Sequence, residues 1–260
     1  MKSVFAGAVL TALAVVLAGI SLEHTAHGVS LSTAAAPFFL NLPGLIIVLG
    51  GTAATLAASF PIRFLGRVPA HLAMVMGGRR YNPAFYADIL VRLSREARGN
   101  GRFSLAESVR YADKDSFLHD AITLVADNID PEYARTLMQH ELSRIKARHT
   151  QNWQFYDKAA AVAPVFGIIA ALTGITVMLA QLSAGGGQNM EAVFAAMAMA
   201  LSAVLYGIVL SGIIFSPIAN RLRIMHQEEM LCKELIVVGV LSIAAGENMR
   251  FIEKKLQSFL

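Results

Sequence analysis

Two long apolar stretches in the second half of the chain limit most strongly what it can fold into. Between Ala159 and Asn220 the only charged side chain is Glu191, which separates a stretch at Ala159–Leu182 from another at Ala192–Ser216. A helix of about 20 apolar residues crosses the hydrocarbon core of a bilayer, and each stretch has that length. We therefore predict two transmembrane helices here, which we number spans three and four.

The rest of the chain is also too apolar for a soluble protein. Of its 260 residues, 55% are apolar and 15% are charged, whereas soluble domains carry about 25% charged residues. Two further uncharged stretches, Ser3–Leu22 and Phe38–Ile62, are long enough to cross. The first could instead be a secretory signal, but it exceeds the usual apolar region of about 7 to 15 residues and no clear cleavage site follows. We predict an all-α polytopic membrane protein with four transmembrane helices.

The positions of the basic residues predict the orientation of these spans. The segments Glu23–Pro37 and Ser183–Glu191 contain no Lys or Arg, so all 22 basic residues lie on the other side of the membrane. The positive-inside rule places that side in the cytoplasm, together with both termini. Four regions follow: residues 1–62 with spans one and two, a cytoplasmic helical domain at 63–158, spans three and four at 159–217, and a cytoplasmic helical tail at 218–260.

The large insert between spans two and three has the apolar spacing of helices. Periodic apolar residues predict helices at Tyr86–Ala97 and Phe117–Asp127. A third is predicted to begin at Asp130 and Pro131, a capping residue followed by proline at the first helical position, and to continue through Arg148. The insert is therefore expected to form a compact helical domain.

A glycine-containing turn separates the first two of these helices and carries opposite charges. Arg98, Arg102 and Glu107 flank Gly99 and Gly101, and glycine permits a tight reversal of the chain. The three charged side chains either form a solvated helix end or dock a charged partner. The residues alone leave both interpretations open.

The sequence contains no motif for covalent catalysis. It has no P-loop, nucleophile elbow or dinucleotide-binding glycine pattern, and Arg144 stands where a zinc-binding H-E-x-x-H pattern begun by His140 needs its second histidine. The net charge of +4 is spread among carboxylates rather than gathered into a nucleic-acid-binding stripe. We predict neither an enzyme nor a metal or nucleic-acid site, and we expect Arg79 and Arg80 to meet lipid headgroups.

Small residues recur at helical spacing along spans three and four. They are Ala160, Ala163, Gly167, Ala171 and Gly174 on span three, and Ala196, Ala200, Ala203, Gly207 and Ser211 on span four. Small faces let membrane helices pack closely. Hydroxyls near the bilayer interior, on Thr173, Thr176, Ser202 and Tyr206, also permit an ion path, because they can replace part of a cation's hydration.

Two prolines and one absence constrain how such a path would work. Pro164 lies one turn into span three and Pro217 ends span four, so a bend near the cytoplasmic end of both helices is expected. All four spans lack Asp, Glu, Lys, Arg and His. Proton-coupled membrane proteins usually carry an ionisable group within the membrane, so a partner must supply that group here.

Several segments resemble the MotA/PomA family of flagellar stator subunits when they are taken in this order and spacing. They are Pro43–Thr52, Asp127–Tyr133, His140–His149, Ala163–Ile169, Leu205–Gly207, Ser216–Ala219 and Gly246–Asn248. The resemblance implies a bacterial inner-membrane protein forming a homo-oligomeric ring, a pentamer in the family, around a single-span MotB-like partner that supplies a membrane aspartate. It also implies that Pro164 and Pro217 couple ion flow to torque, and that Arg98 belongs to a surface facing the rotor protein FliG.

The chain departs from the family pattern at two places. The family's rotor motif ends in Leu-Glu, whereas Leu105 is followed here by Ala106 and the carboxylate comes at Glu107. Sodium-driven members carry threonines in spans three and four where this chain has Ala171 and Ala203. The sequence therefore favours protons over sodium as the coupling ion. No cofactor is expected. The alternatives are a TolQ/ExbB-type energiser of envelope transport and a structural membrane scaffold without ion conduction.

Overall fold

The chain is helical along most of its length. The computed structural model describes residues 2–25, 28–31, 41–77, 81–101, 105, 116–185 and 190–260. Its helices are α1 (Lys2–Ser21), α2 (Leu42–Ser59), α3 (Ile62–Leu65), α4 (Val68–Gly77), α5 (Pro83–Asn100), α6 (Ser116–Ala126), α7 (Pro131–Gly185), α8 (Met190–Val209), α9 (Ser216–Ala244) and α10 (Met249–Gln257). The π-helical segment Leu210–Phe215 joins α8 to α9. The helical class predicted from the sequence is confirmed.

In the described part of the chain, one short element is not helical. Strands β1 (Leu22–Thr25) and β2 (Gly28–Leu31) pair in an antiparallel hairpin, with Leu22 opposite Leu31. They follow α1 directly, in the polar stretch after the first predicted span. The sequence analysis did not predict this hairpin.

The chain divides into two compact units. The first comprises residues 1–78 and 152–222, and the second comprises residues 79–151 and 223–260. Helices α7 and α9 contribute residues to both units. The four regions predicted from the sequence were drawn at membrane boundaries, and they stay predictions.

Aromatic side chains build the first unit's larger core. Phe60, Phe64 and Phe155 contact one another with ring centroids 5.2 to 5.7 Å apart, and Tyr156, Ala159 and Leu222 are buried with them. A smaller cluster contains Val48, Ala170 and Ala203. The larger cluster contains Tyr156 and Ala159 around the start of span three and Leu222 just after span four. It therefore lies at the proline-containing ends of these two spans.

Much of the apolar surface of the first unit faces outward. Exposed side chains on α7 and α8 include Val165, Ile168, Leu172, Leu179, Phe194, Leu201 and Ile208. A contiguous apolar surface of this kind marks contact with lipid or with other membrane helices. Among the described residues, three helical stretches are long and apolar enough to cross a membrane, at Leu42–Ser59, Pro131–Ser183 and Met190–Ala244. Predicted span one corresponds to α1, in which the apolar segment Phe5–Ala18 is shorter than these three stretches, so the count of four spans stays a prediction.

The second unit is a helical domain with its own apolar core. Leu90 and Leu93 of α5, Phe117 and Leu118 of α6, and Leu235 of α9 are each at most 3% exposed within it. Gly239 lets α9 approach α5 so closely that a Cβ there would lie 2.7 Å from Leu90 Cδ1. Helix α10 packs against α5, and Lys255 on α10 contacts Glu247 at 3.2 Å and Ser242 Oγ at 3.1 Å.

Local signals mark several helix ends of this unit, although α5 extends three residues beyond the predicted Tyr86–Ala97 at each end. Helix α5 ends at Asn100 and Gly101 follows with φ of 80°, a conformation that glycine adopts at little cost. Asp130 caps α7, because its Oδ2 accepts hydrogen bonds from the N–H groups of Glu132 and Tyr133 at 3.1 Å each. Asn248 caps α10 in the same way, accepting from the Arg250 N–H at 3.2 Å.

The third predicted helix differs from the observed one in length. The sequence suggested a helix ending near Arg148 and a separate span from Ala159, whereas α7 continues for 55 residues through both. The polar residues between these points contain no glycine or proline, so nothing stops the helix there. Pro164 lies inside α7 without ending it.

Helices α7 and α8 touch through their backbones at three glycines. A Cβ on Gly207 would lie 2.8 Å from the Ala163 carbonyl oxygen, and one on Gly167 would lie 3.0 Å from the Ala203 carbonyl oxygen. A Cβ on Gly174 would lie 2.9 Å from the Ala200 backbone nitrogen. The small residues along both spans therefore serve helix packing, as one of the two interpretations of that pattern predicted.

We predict that Gly207→Ala destabilises the protein by about 1–3 kcal/mol, because the added methyl overpacks against backbone that cannot move aside. The measurement is the thermal unfolding midpoint of the purified protein. Gly50→Ala is the matched control, since no described atom outside its own helical turn lies within 4 Å of a Cβ at Gly50. Equal midpoints for the two variants would contradict the packing role.

Candidate functional site

The candidate site is the pair formed by spans three and four, together with the start of α2. Pro164 lies directly against span four, because a Cβ on Gly207 would be 3.0 Å from the Pro164 Cα. One turn further along, the Ser211 hydroxyl donates to the Ala160 carbonyl oxygen at 2.7 Å. Six residues later Pro217 opens α9, just after the π-helical segment. The structure therefore brings Pro164 together with span four just before the segment that leads to Pro217.

The start of α2 is tied to span four by a tyrosine. The Tyr206 hydroxyl accepts a hydrogen bond from the Asn41 N–H at 2.8 Å, and the Asn41 side chain accepts one from the Gly44 N–H at 3.1 Å. Gly44 is close enough to Ala203 that a Cβ there would lie 3.3 Å from the Ala203 Cβ. Two of the predicted ion-path residues, Tyr206 and Ala203, thus face α2 within this chain.

The remaining predicted hydroxyls do not gather at one place. Thr173 and Thr176 are exposed, and each donates to a carbonyl of its own helix, Ile169 at 2.9 Å and Leu172 at 2.8 Å. Ser202 is buried and donates to the Met199 carbonyl at 3.2 Å. Ala171 is half-buried. The two threonines therefore line a path only where another chain covers that face of span three, and their role stays a prediction.

Of the predicted rotor-facing residues, one lies in the described part of the chain. Arg98 is exposed in the last turn of α5, and its Nη2 donates to the Glu247 carbonyl oxygen at 3.3 Å. This bond links the end of α5 to the turn before α10. Arg102 and Glu107 lie outside the described residues.

The second unit also contains a histidine pair that the sequence analysis missed. His149 of α7 and His226 of α9 lie with their Nδ1 atoms 3.1 Å apart, and both are outside the apolar stretches of spans three and four. Glu229 Oε2 is 3.6 Å from His149 Nδ1, and Lys233 Nζ is 3.5 Å from Glu229 Oε1. The two histidines are 77 residues apart in the sequence, so no local sequence pattern predicts their contact.

Burial favours the neutral form of both histidines of this pair. It lowers the pKa of both histidines below the ordinary value of 6.5. Glu229 opposes this shift at both rings, while Arg148 and Lys233 add to it at His149, and His149 and Lys146 add to it at His226. A hydrogen bond between two Nδ1 atoms needs one donor and one acceptor, so the accepting ring must be neutral.

The close-packed, proline-bearing helix pair and the outward-facing apolar surface define a polytopic helical membrane protein. The model of the MotA/TolQ/ExbB proton channel family matches residues 110–234. Motility protein A of Borreliella burgdorferi is 32% identical over 222 residues, which are 85% of this chain and 83% of the relative. Motility protein A of Treponema phagedenis is 30% identical over 251 residues, or 96% of this chain and 90% of the relative.

The fold agrees with these similarities. A chain of the C. jejuni MotAB structure superposes on this chain with a TM-score of 0.84 at 20% identity. The superposition covers 100% of this chain and 96% of the C. jejuni chain. The protein belongs to the motility protein A group of the MotA/TolQ/ExbB proton channel family.

We predict that the protein loses stability as the pH falls through about 6.5, because the unfolded chain takes up protons there and the folded histidine pair resists them. Stability is greatest above that pH, and the loss continues until the lowered pKa values are reached. The measurement is the unfolding midpoint between about pH 7.5 and about pH 5.5. His226→Gln should flatten this dependence, whereas His140→Gln removes an exposed histidine of α7 outside the pair and should keep it. Equal slopes in wild type and His226→Gln would contradict the prediction.

Proposed function

We propose that this protein is a flagellar motor stator subunit that forms a transmembrane ion channel with a MotB-like partner and couples ion flow to torque. The observation that carries the proposal is the backbone contact between spans three and four beside Pro164, in a chain that belongs to the motility protein A group. Helices packed this closely move together, so a displacement caused by the ion in the membrane reaches the helices outside it. The proposed role involves no covalent catalysis.

The partner is required by the chemistry of the spans. None of the four apolar stretches contains Asp, Glu, Lys, Arg or His, and proton-coupled membrane proteins usually carry such a group within the membrane. A single-span subunit with a membrane aspartate supplies it. The C. jejuni MotAB structure, whose chain shares this fold, supports such an assembly. We propose a homo-oligomeric ring of this chain, a pentamer, around the partner.

The exposed faces of the spans leave room for these contacts. Thr173 and Thr176 point away from span four within the chain, and the apolar residues around them are exposed. Covering by neighbouring subunits or by the partner would bring both hydroxyls to an interface. Ala171 and Ala203 carry no oxygen ligands for sodium, which supports protons as the coupling ion.

The stator role is favoured over a TolQ/ExbB-type energiser, although both belong to the matched family. Relatives named motility protein A match between 84% and 96% of this chain, including the region before residue 110. We place both termini in the cytoplasm of a bacterial cell, with the protein in the inner membrane. A reporter fused at the N-terminus that became active in the periplasm would contradict this orientation.

We predict that deletion of the gene leaves cells with intact filaments that do not swim, and that the wild-type chain restores swimming at all sodium concentrations. Pro164→Ala and Pro217→Leu should insert into the membrane at wild-type levels but restore no swimming. Pro43→Ala is the matched control, because Pro43 lies in the first turn of α2. Backbone N–H groups there have no partner within the helix, so a proline costs no helical hydrogen bond. Normal swimming in both proline variants would contradict the coupling role of Pro164 and Pro217. Swimming that requires sodium would show that sodium, and not the proton, is the coupling ion.

We predict that Arg98→Glu lowers swimming speed more than it lowers the unfolding midpoint, because reversing the charge repels a complementary rotor surface. The measurements are tracked swimming speed and thermal unfolding of the purified protein. Arg95→Glu is the control, since Arg95 is exposed on the same helix one turn earlier and the change in net charge is equal. Equal slowing by both substitutions would assign the effect to net charge rather than to a docking site at Arg98.

A further inference from the structure

The carbonyl of Ala160 has a special position in span three. In an α-helix each carbonyl accepts a hydrogen bond from the N–H four residues later. The residue four positions after Ala160 is Pro164, which has no N–H. Helix α7 nevertheless continues through Pro164, so the Ala160 carbonyl needs a donor from elsewhere. An unpaired carbonyl is costly in a membrane.

Ser211 of span four supplies that donor. Its hydroxyl is 2.7 Å from the Ala160 carbonyl oxygen, across the contact where Gly207 lies against Ala163 and Pro164. The close contact makes the bond possible, because a serine side chain reaches only a short distance beyond its own helix.

Other hydroxyls in the apolar helices behave differently. Thr52, Thr173 and Ser202 each donate to a carbonyl of their own helix, three or four residues earlier. This is the ordinary pairing of a hydroxyl inside a helix. Ser211 instead bonds to a carbonyl 51 residues away in the sequence, and that carbonyl is the one released by a proline.

Ser211 also takes part in the π-helical segment. Its backbone carbonyl accepts the hydrogen bond of the Ser216 N–H, five residues later, and Pro217 follows immediately. Segments with this widened hydrogen-bond pattern occur frequently at functional sites. The side chain of Ser211 thus contacts the turn of Pro164, while its main chain belongs to the turn that leads to Pro217.

We propose that Ser211 is a positioning residue that links the two coupling prolines, by holding the carbonyl that Pro164 releases against the π-helical segment before Pro217. The proposal rests on the stator function proposed above. When the helices shift, the hydroxyl can turn to a carbonyl of its own helix one turn earlier, so the link opens and closes without leaving the hydroxyl unpaired.

A double-substitution cycle tests the hydrogen bond independently of motility. In the purified full-length protein, Ser211→Ala should lower the unfolding midpoint by about 2–4 °C, the shift expected for one lost hydrogen bond in a protein of this size. In the Pro164→Ala background it should cause no further decrease, because alanine restores the N–H that Ala160 needs. Equal decreases in both backgrounds would overturn the link between Ser211 and Pro164.

Swimming tests the positioning role. Ser211→Ala and Ser211→Val should slow swimming while filaments are made normally, and Ser211→Thr should swim faster than Ser211→Val, since these two differ by the hydroxyl. Thr55→Ala is the control, because the Thr55 hydroxyl bonds its own helix at Gly51. Full speed for Ser211→Ala, or equal speeds for the threonine and valine variants, would overturn the role. Failure of the wild-type gene to restore swimming would instead remove the stator function and the positioning role with it, whatever the unfolding cycle shows.

Discussion

The contact between the backbones of spans three and four is the constraint on which the rest of the membrane unit depends. At Gly167, Gly174 and Gly207 a single added carbon would fall about 3 Å or less from the facing main chain. Such contacts hold two helices together without charged or large polar groups, because dispersion and weak polar contacts act at the shortest possible range. They also bring Ser211 within reach of Ala160 and leave the larger apolar side chains exposed outside the pair.

The pair is chemically incomplete, and this explains why the protein works in an assembly. Its predicted spans contain no Asp, Glu, Lys, Arg or His, so we propose that another chain supplies the ion-binding carboxylate. We propose that this chain's contribution is mechanical, through helices packed backbone against backbone and prolines that interrupt their hydrogen-bond ladders. The helical domain of the second unit, with the Arg98 surface, is the part that we propose transmits the movement to the rotor.

The elements predicted correctly from the sequence are those set by short-range signals. Helices α5 and α6 and the Asp130 cap follow from apolar spacing and capping side chains within a few residues. The sequence analysis did not predict the unbroken length of α7. Its first part is charged and its second part is apolar, and this change in composition suggested two separate helices. The π-helical segment, helix α4 and the hairpin after α1 had no pattern distinct enough to predict them.

The sequence by itself determined that this is a membrane protein, where its apolar helices lie, that they carry no ionisable group, and that small residues line spans three and four. Each of these follows from composition or from helical spacing along one segment. The tertiary structure alone decided which side chains meet: Ser211 with Ala160, Tyr206 with Asn41, and His149 with His226, while Thr173 and Thr176 face outward. These pairings depend on the rotation and crossing of helices distant in sequence, which the packing of backbone against backbone sets and no local pattern encodes.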